Sequence, residues 1–220
     1  MLPRSFYARG AEEVARDLLG ATLCVRRREG TARVRVVETE AYVGPHDLAC
    51  HAARGRTRRT EVMFGPAGHA YVYLIYGMYD MLNVVTGTEG DPQAVLVRAA
   101  EPDDARASVQ GPPAQGGPVQ DGPPPGSART RPTMHGPGRL ARALGITVGR
   151  HNGADLCARD AARDALWFES GRAPAEVAVT PRIGVGYAGA WADAPLRFCD
   201  ARSGHVSPAP TAKASRSARR

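Results

Sequence analysis

A pair of glutamates two residues apart poses the sharpest chemical question in this chain. Glu38 and Glu40 lie in RVRVVETEAYV, Arg33 to Val43, whose alternation of β-branched and polar residues predicts a strand. Alternate strand residues share a face, so Val34, Val36, Glu38, Glu40 and Tyr42 are expected to point the same way. If the valines face a core, two carboxylates go with them, and a carboxylate out of water is costly unless paired or hydrogen-bonded. Two readings account for it: an ion pair with one of the many arginines, or a carboxylate held in a cleft as general base. Nearby, His46, Asp47, Cys50 and His51 offer metal-type ligands, but their spacing matches no zinc signature. A stacking or hydrogen-bonding role in a cleft suits His51 better.

The segment YVYLIYGMY gathers Tyr71, Tyr73, Tyr76 and Tyr79. Tyrosines at alternating spacing commonly fill a core, which is one reading of Tyr71 and Tyr73. Tyr76 differs because it stands beside Gly77, where the strand should turn. A tyrosine at a hairpin tip is an exposed wedge of the kind that unstacks a nucleic-acid base step. The run RGRTRR reads either as a solvated loop or as a phosphate clamp built from Arg54, Arg56, Arg58 and Arg59.

Positioning these side chains is the task of a few short elements. AEEVARDLL, residues 11–19, has early acids, Val14, Leu18 and Leu19 at helical spacing, and Gly20 to end it. Strands are expected at residues 21–27 and 33–43 across a turn at Glu29-Gly30, then at 69–76, 81–87 and 94–101. GPGRLARALGI, residues 136–146, predicts a second helix, and residues 182–198 mix strand with Gly-rich loop. Residues 111–126 contain eleven Gly or Pro, too little apolar surface to offset ordering entropy, so about 105–132 is expected to be a flexible loop.

The chain of 220 residues and 23.3 kDa suits one domain over residues 1–200. With no apolar run of membrane-spanning length and no signal-type N-terminus, the expectation is a soluble, cytoplasmic protein. Cys24, Cys50, Cys157 and Cys199 are scattered and read as free thiols. Lys213 is the only lysine, which excludes a Schiff-base nucleophile or a P-loop lysine in the folded body unless the tail folds back. Of the net charge of +7, residues 201–220 supply four Arg and one Lys with no acid, reading as a disordered basic tail. A cut at Asp200 is therefore expected to weaken salt-dependent binding and leave the chemistry intact.

Taken in order, VVETEAYVGPHDLACH, MFGPAGHAYVYLIYGMYDMLNV, VLVRAAEP, GPGRLARALGI and RIGVGYAGAWADAPLRF resemble the alkyladenine (3-methyladenine) DNA glycosylase family. The resemblance runs from about Phe6 to Phe198, and no single motif would carry it. It implies an enzyme that flips a damaged nucleotide from duplex DNA and hydrolyses its N-glycosidic bond, with no metal or organic cofactor. By position, Glu40 becomes the general base, while Arg98 and the main-chain carbonyl of Ile183 help hold the attacking water. Tyr42, His51 and Tyr73 enclose the flipped base, Asn83 crowds its edge, and Tyr76 fills the gap in the stack. It further implies a single α+β domain with a curved, mainly antiparallel sheet, short helices and a protruding hairpin.

The expected partner is double-stranded DNA containing damaged purines, met by a monomer away from any membrane. A catalytically inactive damage-binding protein, and a metal-dependent hydrolase using His46, Cys50 and His51, are the alternatives. The absence of a body lysine favours water attack over an amine nucleophile, hence an abasic product without strand cleavage.

Overall fold

A computed structural model describes residues 1–103, 133–158 and 165–207. The loop expected at 105–132 and the chain beyond residue 207 lie outside the described residues. Among the described residues four short α-helices occur: α1 (Arg4–Tyr7), α2 (Ala11–Asp17), α3 (Pro137–Leu144) and α4 (Val148–His151). The strands are β1 (Thr22–Arg27), β2 (Gly30–Tyr42), β3 (Ala70–Ile75), β4 (Tyr79–Thr86), β5 (Gln93–Pro102), β6 (Leu166–Glu169), β7 (Val177–Thr180) and β8 (Arg197–Asp200).

These eight strands form one curled, antiparallel sheet in the order β3-β4-β5-β2-β1-β6, with β8 pairing β2 and β7. Strand β2 is the hub. Its first half pairs β1, its second half pairs β8, and its other edge runs along β5. The two helices read from the sequence appear within a residue or two of their expected ends. Gly145, at φ +68°, closes α3 in a left-handed turn that a side chain would resist. Leu140 and Leu144 of α3 join Leu18, Leu23, Phe168 and Phe198 in the principal core. Burying each leucine contributes about 1.5–3 kcal/mol.

One expectation about β2 is corrected. Val34 and Val36 do enter the principal core, but Glu38, Glu40 and Tyr42 do not share their side. The register slips between Val36 and Thr39, where β2 and β5 each carry an extra residue. Past that point the core face passes to Thr39 and Ala41, and Thr39 Oγ1 donates to the α2 carbonyl of Ala15 at 2.8 Å. The bulge thus turns the glutamates away from the valines and toward the opposite concavity. On β5 the same irregularity puts Val95, Val97 and Ala100 in the core and leaves Leu96 and Arg98 facing the glutamates.

A second correction concerns the domain boundary. Residues 201–207 are packed: Ser203 Oγ donates to Glu101 at 2.7 Å, and Ser207 is buried. Packed residues therefore extend at least to Ser207, past the expected end at Asp200.

Candidate active site

On the concave side a cavity of about 210 Å³ opens between β2, β3, β4, β5 and the stretch 183–187. It is smaller than the roughly 300–1,000 Å³ of drug-sized ligand sites, and five tyrosines contribute to its walls. Tyr42, His51, Tyr73, Tyr76, Asn83, Arg98 and Ile183, expected from four separated stretches of sequence, all line it.

Glu40 is fully buried directly behind this cavity. Its Oε1 accepts the main-chain N–H of Ile183 at 2.7 Å, and its Oε2 accepts the Tyr42 hydroxyl at 3.0 Å. Arg98 Nη1 lies 3.2 Å from the same Oε2. Burial, then the neighbouring Glu40 charge, pushes the Tyr42 hydroxyl well above its ordinary pKa, so it remains a donor to that carboxylate. Ile183 enters through its N–H as well as the carbonyl implied by resemblance.

Glu38 is equally buried but differently employed. Its Oε1 accepts from Arg98 Nε at 2.9 Å and Arg197 Nε at 2.7 Å, and its Oε2 accepts the Ser207 N–H at 2.6 Å. Burial alone would raise its pKa, but Arg98, the Ser207 N–H and Arg197 together outweigh that and hold it below the usual carboxylate range. The two readings of the buried pair thus divide between its members. Glu38 is the ion-paired carboxylate, and Glu40 is the one bonded to the cavity wall.

The base-pocket candidates form a connected wall. His51 Nδ1 lies 2.9 Å from the Tyr71 hydroxyl, and its ring meets Tyr73 edge-on with centroids 4.5 Å apart. Asn83, 3% exposed, is fixed by its Nδ2 donating to the Tyr71 carbonyl at 3.1 Å. Tyr76 caps the β3–β4 hairpin at 82% exposure and φ +53°, the one non-glycine residue with positive φ among those described. With Gly77 at φ +68° and the Met78 N–H donating to Ile75, the tip is a primed turn.

The arginine loop is exposed, but its members differ. Arg56 is bound to Glu61, whereas the Arg59 guanidinium lies 5.1 Å over the Tyr73 ring at the pocket wall. Arg54 and Arg58 are exposed, and Arg54 lies close enough to His51 for its charge to act on that ring. The three ligands of the metal-hydrolase alternative have separate environments: His46 against Trp191, Cys50 near the Pro92 carbonyl and His51 on Tyr71. Among the described residues no three His, Cys, Asp or Glu side chains converge on a metal position.

Sequence reasoning missed the support beneath Ile183. Arg182 and Asp47, both with buried side chains, form a bidentate pair, with Nη2 to Oδ1 at 2.9 Å. Arg182 also donates to the Ala41 carbonyl at 2.9 Å and lies 4.8 Å from the Tyr42 ring. It thereby ties Ile183 to the strand carrying Glu40. The adjacency of Arg182 to Ile183 was the only available signal, since an arginine's partner is not written in its neighbours.

Comparison with known proteins places the chain in a family. The family model described as "Methylpurine-DNA glycosylase (MPG)" matches residues 5–204. A protein of Myxococcus xanthus is 52% identical over 212 residues, covering 95% of this chain and 94% of its own length. One from Methanocella arvoryzae is 47% identical over 207 residues, with 94% and 96% covered. One from Legionella pneumophila is 44% identical over 199 residues, with 90% and 92% covered. All three bear the name "Putative 3-methyladenine DNA glycosylase". With that match spanning most of its length, the chain belongs to the methylpurine-DNA glycosylase family.

Proposed function

We propose that this DNA glycosylase of base-excision repair removes alkylated or deaminated purines from double-stranded DNA by water attack, leaving an abasic site without strand cleavage. The observation that carries the reading is Glu40, a buried carboxylate held by Ile183, Tyr42 and Arg98 behind an aromatic pocket of single-base size.

The damaged nucleotide rotates out of the duplex at a cost of a few kcal/mol, smallest for a base that already pairs poorly. Tyr76 enters the gap, and Tyr42, His51 and Tyr73 enclose the base, where aromatic stacking returns about 1–3 kcal/mol. Asn83 crowds the edge at which guanine carries its amino group. A water held by Glu40, Arg98 and the Ile183 carbonyl then adds to the sugar C1′. Its proton passes to Glu40 as the C1′–N bond breaks and the bonding electrons leave with the base. An alkylated, positively charged purine departs as a neutral molecule, whereas hypoxanthine needs a proton on departure. Residues 1–207 contain no lysine, in keeping with water rather than an amine as nucleophile.

Base release from duplexes carrying one hypoxanthine, 7-methylguanine or ethenoadenine tests this. Glu40→Gln should bind these duplexes while excision falls about 10²- to 10⁴-fold. The wild-type product should break only after alkali. Strand cleavage by the enzyme alone, or wild-type turnover by the variant, rules the mechanism out. Lesion binding without base release by the wild-type chain would make it a damage-binding protein instead.

A further inference from the structure

We infer that residues 201–207 are a working part of this active site, the main chain of Ser207 acting through Glu38 to hold Arg98 against Glu40. The inference rests on the reading of Glu40 as the base, and concerns what keeps its partner in place.

Arg98 is a single guanidinium serving two carboxylates, Glu38 through Nε at 2.9 Å and Glu40 through Nη1 at 3.2 Å. Two contact points fix the plane of the group, whereas one would leave it free to pivot. The second point is only as firm as Glu38, and two donors besides Arg98 fix that side chain. Arg197 comes from β8, and the other is the Ser207 N–H at 2.6 Å, the shortest of the three bonds. Ser207 is used twice, since its carbonyl accepts Arg197 Nη2 at 3.0 Å and so locks the second arginine as well.

The close contact is made by the backbone N–H, although the Ser207 hydroxyl also lies near enough to Glu38 to help lower its pKa. The Ser207 hydroxyl has no hydrogen-bond partner among the described residues, although the residue is buried. The segment is delivered by its own attachments. Ser203 Oγ donates to Glu101, and His205 Nδ1 lies 3.5 Å from the same carboxylate. Ser207 also stands beyond residue 204, where the family match ends. Ser207 touches Glu38 and Arg197 and does not line the cavity. Ser207 is therefore a positioning residue.

Replacing the N–H without shortening the chain tests this. Ser207→Pro removes the N–H donor, and Ser207→Ala keeps it while deleting only the hydroxyl. Single-turnover base release on the duplex that the wild-type chain processes fastest should fall about 10- to 100-fold in Ser207→Pro and stay within about threefold in Ser207→Ala. Affinity for that duplex should change less than about threefold in either, whereas a merely structural role would move affinity and melting temperature along with the rate. If Ser207→Pro does not fold, two truncations read the same contact: a chain ending at residue 210 should keep the wild-type rate, and one ending at Val206 should lose it. A wild-type rate without the residue 207 N–H, or an equal loss in Ser207→Ala, overturns the inference. A wild-type chain that releases no base overturns the excision reading itself, and this inference with it.

Discussion

A histidine that stays neutral is the right wall for a positively charged base. Burial, followed by the fields of Arg59 and Arg54, lowers the His51 pKa from 6.5 to about 4, so the ring is uncharged throughout the neutral range. An imidazolium there would repel an alkylated purine at the moment of recognition. Nitrogen NMR of the imidazole should place its midpoint near pH 4, and Arg59→Gln should move that midpoint upward; an unmoved midpoint would remove Arg59 from the field. The sign for stability follows. The unfolded chain takes the proton first, so this group leaves stability unchanged above about pH 6.5 and lowers it as pH falls from there toward 4. At this scale the candidate residues could be named from sequence, yet only the family resemblance, and not residue type or spacing, told Glu40 from Glu38. Both are acidic and buried, and only their donors distinguish them.

At the scale of elements, the β3–β4 hairpin sets local comfort against use. A tyrosine in left-handed backbone costs of order 1–3 kcal/mol, and Tyr76 gains no burial in return. Asparagine tolerates that conformation far better. Tyr76→Asn should therefore leave the melting temperature unchanged or raise it, while base release falls at least about tenfold because the opened stack is left unfilled. A variant that loses stability and keeps its rate would deny Tyr76 the wedge role. Helix α3 buttresses the same hairpin, for a side chain on Gly138 would meet the Tyr79 ring at 3.1 Å. The hairpin and both principal helices were legible because glycine punctuation and apolar spacing agree there. Strands β6 and β7 were not, since four residues carry too little pattern and are defined by the β1 and β8 edges they join. The bulge in β2 also escaped, although the adjacent Val36 and Val37 break the alternation where it lies.

For the whole molecule, charge and chemistry separate along the chain, though further on than composition suggested. Residues 211–220 contain Lys213, Arg216, Arg219 and Arg220 and no acid. A chain ending at residue 210 should bind DNA with a shallower salt dependence, the slope of log K against log salt falling by up to about 3–4. Excision at low salt should be unchanged. An unaltered slope would place those cations away from the phosphates. The cut first suggested, at Asp200, would also remove the Ser207 bonds to Glu38 and Arg197 and confound the two effects. Sequence could not reveal this, because a main-chain donor looks the same at every residue.

The three-way pairing of β2 has a consequence for how activity is lost. Glu40 stands where β2, β5 and β8 meet, and its cavity draws walls from residues 42 to 187. The β3–β5 stretch supplies one wall, but Tyr42 and residues 183–187 stand far from it in sequence, so no short contiguous fragment contains the whole site. Catalysis and global cooperativity are thus fused, and the enzyme should switch off as a unit rather than fade as its edges fray.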